Sequence, residues 1–299
     1  MLEVGIYNDM SIEEYHADRT AISSSRLKEA LKSLRHFKCY YDEEAEKKMH
    51  LDFGNAFEAC LLDAINNTNL AEQIIYVFDE SQRPEPTKNY QTKVNQVWRD
   101  EEFEKANGRY IVPKEGKESM YTISRMVESV MEDDLKVKLL SNTDYQKTVV
   151  WKDEKTKLLL KTRPDVCSIN KNVLVDIKTT LDASPTAFHR DITKYNYPLQ
   201  AVLQMRGCLE SGLLPNIKRY YWLAAEKTSP YNAQLYMFDI EDWDLFHKWL
   251  DFFLYKISEA YATNKWPNYS LMSEYGFYES GNDFGVIKVK LSNFYKDLF

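Results

Sequence analysis

The stretch Arg163-Pro164-Asp165-Val166-Cys167-Ser168-Ile169-Asn170-Lys171-Asn172-Val173-Leu174-Val175-Asp176-Ile177-Lys178-Thr179-Thr180 organises the reading of the whole chain. Two apolar runs flank the polar turn Asn170-Lys171-Asn172, the pattern of a β-hairpin. Asp165 opens the first strand, and Asp176 and Lys178 close the second. Residues two apart on a strand point to the same face, so Asp176 and Lys178 emerge together. Ile177 between them faces the core, which leaves its carbonyl available as a further ligand. An Asp-x-Lys pair alone is ordinarily a surface ion pair worth little. Here Val173-Leu174-Val175 reads as a buried strand, so the pair rises from the core rather than from a solvated edge, and Pro164-Asp165 opens a strand placed beside it.

Two carboxylates are hard oxygen donors suited to Mg²⁺ or Mn²⁺. A neighbouring ammonium suits the orientation of water or the neutralisation of phosphate charge. The residues therefore point to a divalent-metal site, with Asp165, Asp176 and the Ile177 carbonyl as ligands and Lys178 beside them.

Working outward, the four short runs Gln146 to Lys152, Lys157 to Thr162, Asp165 to Ile169 and Asn172 to Lys178 predict an antiparallel meander. Upstream, residues 1 to 80 look mainly helical. Ser23-Ser24-Ser25 can cap a helix carrying Leu27, Ala30, Leu31 and Leu34. A second helix is expected from about Asp52 to Ala64, with Glu58 near its apolar face. Residues 81 to 118 are polar and interrupted by Pro84, Pro86 and Pro113, with a helical stretch near Thr87 to Asn95. A helix from Ser119 to about Ser141 follows. Downstream come a helix from Tyr197 to Gly212, aromatic-rich strands at Arg219 to Ala225 and Gln234 to Asp239, and a long amphipathic helix from Asp242 to Thr263. The expected fold class is α/β, with a central mixed sheet flanked by helices. The expected organisation is a single domain over 1 to 299, with a helical part over 1 to 80, an inserted polar segment over 81 to 118 and a sheet core over 145 to 265.

The 299 residues suffice for a sizeable core, and 44% hydrophobic with 28% charged residues is ordinary for a globular protein. The net charge of −7 lowers the prior for a passive nucleic-acid binder that relies on a global positive field. Local basicity at Arg35, His36, Lys38, Lys47 and Lys48 offers a compensating contact with phosphates. No apolar run approaches the roughly 20 residues of a membrane span, and no signal peptide is visible, so a cytoplasmic location with no membrane partner is expected. Cys39, Cys60, Cys167 and Cys208 are too scattered for an iron–sulfur or zinc site, and are expected to be reduced and mostly buried. His16, His36, His50, His189 and His247 form no cluster at ligand spacing, although His50 lies close to Glu58 along the chain.

Pro164-Asp165 followed by Asp176-Ile177-Lys178 resembles the PD-(D/E)xK nuclease signature. More narrowly, the chain is similar to the phage and prophage exodeoxyribonuclease VIII (RecE-type) exonucleases. The likeness runs in family order through Ser23 to Leu34, Gly54 to Leu62, Lys161 to Asp165, Asp176 to Thr180 and Tyr197-Pro198-Leu199-Gln200, over roughly residues 5 to 265. The resemblance implies a restriction-endonuclease-like core and Mg²⁺-dependent digestion of double-stranded DNA ends, 5′-to-3′, with Mn²⁺ as a substitute. It implies a ring-like homo-oligomer, such as a tetramer, and a single-strand annealing protein as partner in phage-type recombination.

Carried over to this chain, Asp165 and Asp176 become metal ligands and Lys178 the catalytic lysine. Tyr197 and Gln200 match a Tyr-x-x-Gln element that contacts DNA or supports the site; a core tyrosine and a helix-capping amide are the plain alternatives. Glu58 stands where RecE-type proteins commonly present a histidine. It can complete the metal shell, or be an ordinary glutamate on an amphipathic helix. Lys161 and Arg163, alternating before Asp165, can reach phosphate or simply be solvated. A rival reading is a catalytically weak or inactive nuclease fold kept as a DNA-end or protein-binding module.

Overall fold

The computed structural model describes residues 2–42, 49–88 and 90–269. Lys47, Lys48 and the C-terminal thirty residues lie outside the described residues, as does the side chain of His50. In chain order, β1 (Gly5–Tyr7) precedes α1 (Ile12–Ala17), α2 (Ser24–Lys32) and α3 (Leu34–Cys39). Helices α4 (Met49–Asn66) and α5 (Leu70–Ile74) lead to β2 (Ile75–Phe78), and α6 (Lys93–Ala106) separates it from β3 (Tyr110–Pro113). Next come α7 (Met120–Met131), α8 (Asp134–Leu140), β4 (Asp144–Tyr145), β5 (Thr148–Lys152), β6 (Leu159–Thr162), β7 (Val166–Ser168) and β8 (Val173–Thr180). The chain continues through α9 (Pro185–Lys194), α10 (Tyr197–Glu210), β9 (Arg219–Glu226), β10 (Ala233–Met237) and α11 (Ile240–Thr263).

The predicted hairpin is present: β7 and β8 pair antiparallel, Val166 opposite Val175 and Ser168 opposite Val173. The expected four-stranded meander is not. Strands β5 and β6 pair with each other and join β1 in a separate three-stranded sheet, while β7 and β8 belong to a five-stranded sheet ordered β10-β9-β8-β7-β4. The chain changes sheets across Arg163-Pro164-Asp165. Proline has no N–H to continue a ladder, so a break there costs the first sheet no donor. The five-stranded sheet is mixed, as expected: β8 and β9 run parallel over Val173–Thr180, joined by the crossover α9–α10.

Strand β8 is buried on both faces, and its period-2 alternation divides two cores. Leu174 joins Trp222, Ala224 and the residues of α2, α10 and α11 in one cluster. Val175 and Ile177 join Phe53, Phe57, Ile123, Leu223 and Ala225 on the other. On the first face, α10 lies very close to the small sheet: a Cβ at Gly207 would stand 2.6 Å from Trp151 Cζ3. That close seat carries the N-terminal turn of α10, with Tyr197 and Gln200, up to the end of β8.

Other boundaries differ for local reasons. The helix expected over 119 to 141 is two helices, because Asp133 accepts from the Leu135 and Lys136 amides and starts α8 afresh. The helical stretch near Thr87 to Asn95 begins later, at Lys93 under a Thr92 cap, and runs to Ala106. The flanking β2 and β3 form a parallel pair inside and beside the segment read as a polar insertion. Of the cysteines, Cys167 and Cys208 are buried, Cys60 is half-buried and Cys39 is exposed; all four are free thiols.

Candidate active site

Asp165, Asp176, Lys178 and Glu58 converge where the end of the β7–β8 hairpin meets α4. Asp176 is fully buried and Glu58 is 6% exposed, an arrangement that carboxylates tolerate only with compensating partners. Lys178 Nζ lies 2.6 Å from Asp176 Oδ2. Oδ2 is a buried acceptor with no other close hydrogen-bond donor, so the Lys178 ammonium is its main compensation. Asp165 Oδ2 accepts the Ile177 amide at 2.7 Å, which pins the first strand's carboxylate to the second strand. The Ile177 side chain is in the core as expected.

Two relays of the same design orient the acids. In one, Lys28 Nζ donates to Gln200 Oε1 (3.1 Å) and Gln200 Nε2 donates to Asp176 Oδ1 (2.8 Å). In the other, Arg163 donates to Gln146 Oε1 (3.0 Å) and Gln146 Nε2 donates to Glu58 Oε1 (2.9 Å). Each cation fixes which end of an amide faces the carboxylate. Tyr197 stands beside them, its ring 5.2 Å from Lys178 Nζ and 5.5 Å from Lys28 Nζ.

The electrostatics are those of three crowded acids. Burial pushes the Asp165 carboxyl well above the usual carboxylate range, and the charges of Glu58 and Asp176 push it further. Burial likewise raises Glu58, with the Gln146 bond opposing and Asp176 adding to the rise. Burial disfavours the Lys178 ammonium, but Asp176 and Asp165 outweigh it and hold its pKa above the ordinary lysine value. Lys28 has no such carboxylate contact; burial and the Lys178 charge bring it down to about 8. Burial raises Tyr197 to about 12.

The residues fit a hard divalent cation in their chemistry. Three mutually repelling oxygen donors, one of them with a buried oxygen compensated mainly by the Lys178 ammonium, are the surroundings that such an ion stabilises. Among the described residues, however, no three His, Cys, Asp or Glu side chains stand close enough to form a ready-made ligand cluster.

Of the expected phosphate contacts, Gln200 is in the site, Arg163 borders it beside Glu58 and Gln146, and Lys161 is committed elsewhere. Arg163 also donates to the Met10 carbonyl (2.6 Å) and Thr148 Oγ1 (3.2 Å), so it supports Glu58 from behind. Lys161 is 1% exposed, with its ammonium on the carbonyls of Tyr15 and Asp18 and 3.7 Å from the Asp18 carboxylate. It points into the N-terminal segment, away from the acids, so the expected phosphate role is corrected to a structural one. Sequence reasoning missed Lys28 and Gln146. Lys28 sits within the Ser23 to Leu34 helix and Gln146 at the edge of an expected strand, so closeness to recognisable motifs was the available signal.

The sequence profile of a family described as a PDDEXK-like domain of unknown function (DUF3799) matches residues 23–276. The chain belongs to this PDDEXK-like family. The DUF3799 match takes in Lys28, Glu58, the hairpin and Gln200, every element of the site. A crystal structure of a candidate exonuclease from Eubacterium rectale is similar over 96% of this chain and 98% of that one, at 12% identity and a TM-score of 0.55. At that identity the likeness shows the fold alone, and the fold is the mixed α/β PDDEXK-like nuclease fold. No curated protein matches the sequence significantly. Among the described residues of this DUF3799 chain, no helix is long and apolar enough to cross a membrane.

Proposed function

We propose that the chain is a metal-dependent nuclease acting on the ends of linear double-stranded DNA. The observation that carries the reading is the meeting of Asp165, Asp176 and Lys178 on one hairpin, with Glu58 completing the acids. Asp165, Asp176 and Glu58, with the Ile177 carbonyl, would hold Mg²⁺, or Mn²⁺ in its place. When bound, such an ion supplies a polarised phosphoryl oxygen and a more acidic water.

The chain's own groups do the rest. Lys178 keeps its proton because the flanking carboxylates favour the ammonium, so its role is electrostatic: it donates toward the attacking water or the phosphate oxygen and offsets charge that builds there. Gln200 holds the Asp176 carboxylate in one orientation, and Gln146 does the same for Glu58. Burial of both acids excludes bulk water and strengthens each of these interactions.

The RecE-type resemblance supports the finer features: 5′-to-3′ polarity, a ring-like homo-oligomer such as a tetramer, a single-strand annealing protein as partner, and phage-type recombination as setting. Incubating purified protein and Mg²⁺ with linear duplexes labelled at either end, and with a circular control, tests the proposal. Loss of the 5′ label from linear duplex alone is expected, abolished in Asp176→Ala. Persistent duplex, with wild type and variant alike, would sink it.

One observation favours a second reading, a nuclease fold retained as a DNA-end-binding module. Among the described residues the acids do not close into a ready-made ligand cluster. Calorimetric titration with Mn²⁺ separates the two, since the module predicts no ion binding that depends on Asp165 and Asp176.

A further inference from the structure

The cleft that exposes the acids does not end with them. It encloses about 850 Å³ and extends from Glu58, Asp165 and Lys178 past Arg190, Lys194 and Tyr195. Arg190 and Lys194 are both exposed and lie four residues apart on α9, a rise of about 6 Å along one helix face. Neither forms an ion pair among the described residues. Helix-dipole complementarity accounts for a lysine in the last turn of α9, but not for the arginine a turn earlier on the same wall, nor for an exposed tyrosine next to the lysine.

That tyrosine, Tyr195, ends the helix and is 45% exposed. Its ring stacks on Tyr197 with centroids 5.7 Å apart and planes at 24°, and Tyr197 in turn abuts Lys178. The Lys194 ammonium sits 4.9 Å from the Tyr195 centroid. An aromatic pair thus leads from the catalytic lysine outward, and two cations run beside it. The acids that share this wall are engaged locally: Asp191 accepts from Thr180 Oγ1 and Asp182 from the Ser184 amide.

Cations alternating with an exposed, backed aromatic face are what single-stranded nucleic acid recognises, because an unpaired base offers a π-face that a duplex keeps stacked. Size points the same way. A cleft of this volume is on the scale of a drug-sized ligand's pocket, with Glu58 and Asp165 in its lining, a scale nearer to a few unpaired nucleotides than to a duplex.

We infer that α9 and Tyr195 form a binding site for an unpaired stretch of the nucleic-acid strand, with Tyr195 as a base-stacking platform and Arg190 and Lys194 as phosphate contacts. The inference rests on the nuclease reading for why a strand comes to this cleft, but its binding test does not depend on cleavage.

The test is fluorescence anisotropy with the full chain in EDTA, using a labelled oligothymidine and a blunt duplex of equal length. Tyr195→Ala is expected to weaken oligothymidine binding roughly tenfold, and Tyr195→Phe to restore it. Arg190→Ala and Lys194→Ala are each expected to weaken binding and to lower the salt slope by about 0.7. All three residues are exposed, so the variants fold. Unchanged oligothymidine affinity in Tyr195→Ala and in the two cation variants would overturn the site. Equal losses on oligothymidine and duplex would overturn the single-strand assignment. Tyr195-dependent binding without any cleavage in Mg²⁺ would leave the site standing and remove the nuclease reading alone.

Discussion

Lys28 acts on Asp176 without touching it: its ammonium takes the Gln200 carbonyl oxygen at 3.1 Å, and the amide nitrogen is thereby left facing Asp176 Oδ1 at 2.8 Å. Reversing that amide would set an oxygen against a buried carboxylate. The cation therefore decides the orientation of a group one residue removed from the chemistry. Lys28→Met is expected to lower kcat about 10- to 100-fold with little change in KM, the usual cost of losing a partner that orients a metal-binding carboxylate. Gln200→Leu should lower kcat similarly and also weaken Mn²⁺ binding. Steady-state digestion of linear duplex, paired with Mn²⁺ calorimetry, reads both. A Lys28→Met enzyme with wild-type kcat would remove the relay from the mechanism.

Asp165 carries the pH prediction. Its folded pKa is raised by burial first and by Glu58 and Asp176 second. Between the unfolded pKa, about 3.9, and the raised folded value, the native state binds more protons than the unfolded one. Stability from this group is therefore fully present below the unfolded pKa and is lost as pH rises through the folded pKa. Each unit of the shift is worth about 1.4 kcal/mol. In EDTA, Asp165→Asn should melt at a higher temperature than wild type at pH 8, and the gap should close as pH falls. The asparagine oxygen keeps the Ile177 amide bond. Thermal melts across pH check it, and an Asp165→Asn protein less stable than wild type at pH 8 would contradict it.

Lys161 separates a structural cation from a substrate contact. Its ammonium satisfies two carbonyls and faces Asp18 in a nearly dry setting. Lys161→Met leaves the two carbonyl acceptors without their ammonium, a cost of about 1–3 kcal/mol for each buried group left unpaired, while Asp18 keeps its bonds from the Leu2, Thr20 and Ala21 amides. Urea denaturation should show the lower midpoint. DNA affinity of the folded variant should match wild type.

Gly207 offers a sign reversal. Glycine to alanine inside a helix ordinarily stabilises by about 1 kcal/mol. Here the new methyl would lie 2.6 and 2.8 Å from two carbons of the Trp151 ring, which is itself buried against α10. Overpacking of that kind costs about 1–3 kcal/mol. Gly207→Ala is expected to destabilise on balance and to alter the near-ultraviolet circular dichroism of the tryptophans. A stabilised Gly207→Ala protein would mean that α10 is seated less closely.

The hairpin was legible because its signal is local: alternating burial, a polar turn and a proline at the entry. The sheet that each strand joins was not, because β5 and β7 look alike as short apolar runs and only packing against β1 or β8 decides their partner. The parallel β2–β3 pair escaped notice for a related reason. Each strand is four residues long, and the intervening α6 exposes Val94 and Val97, which blurs the helical period. In the site, Asp165, Asp176 and Lys178 could be named from type and spacing, while Glu58, Tyr197 and Gln200 were named through the resemblance to RecE-type exonucleases. Lys28 and Gln146 could not be named, since their roles exist only through the amide between each cation and its acid. For Lys161 and Arg163 the alternation was correct, but the surface they meet is the folded-back N-terminal segment, which the strand itself does not reveal.

Lys28, Glu58, the hairpin and Gln200 reach the site from elements dispersed along the chain, and Gln200 comes last, on the helix that Gly207 lets settle against the small sheet. A polypeptide still leaving the ribosome thus holds its acids without the group that aligns them. On the nuclease reading, the order of the acids is therefore complete only once the crossover helix has docked.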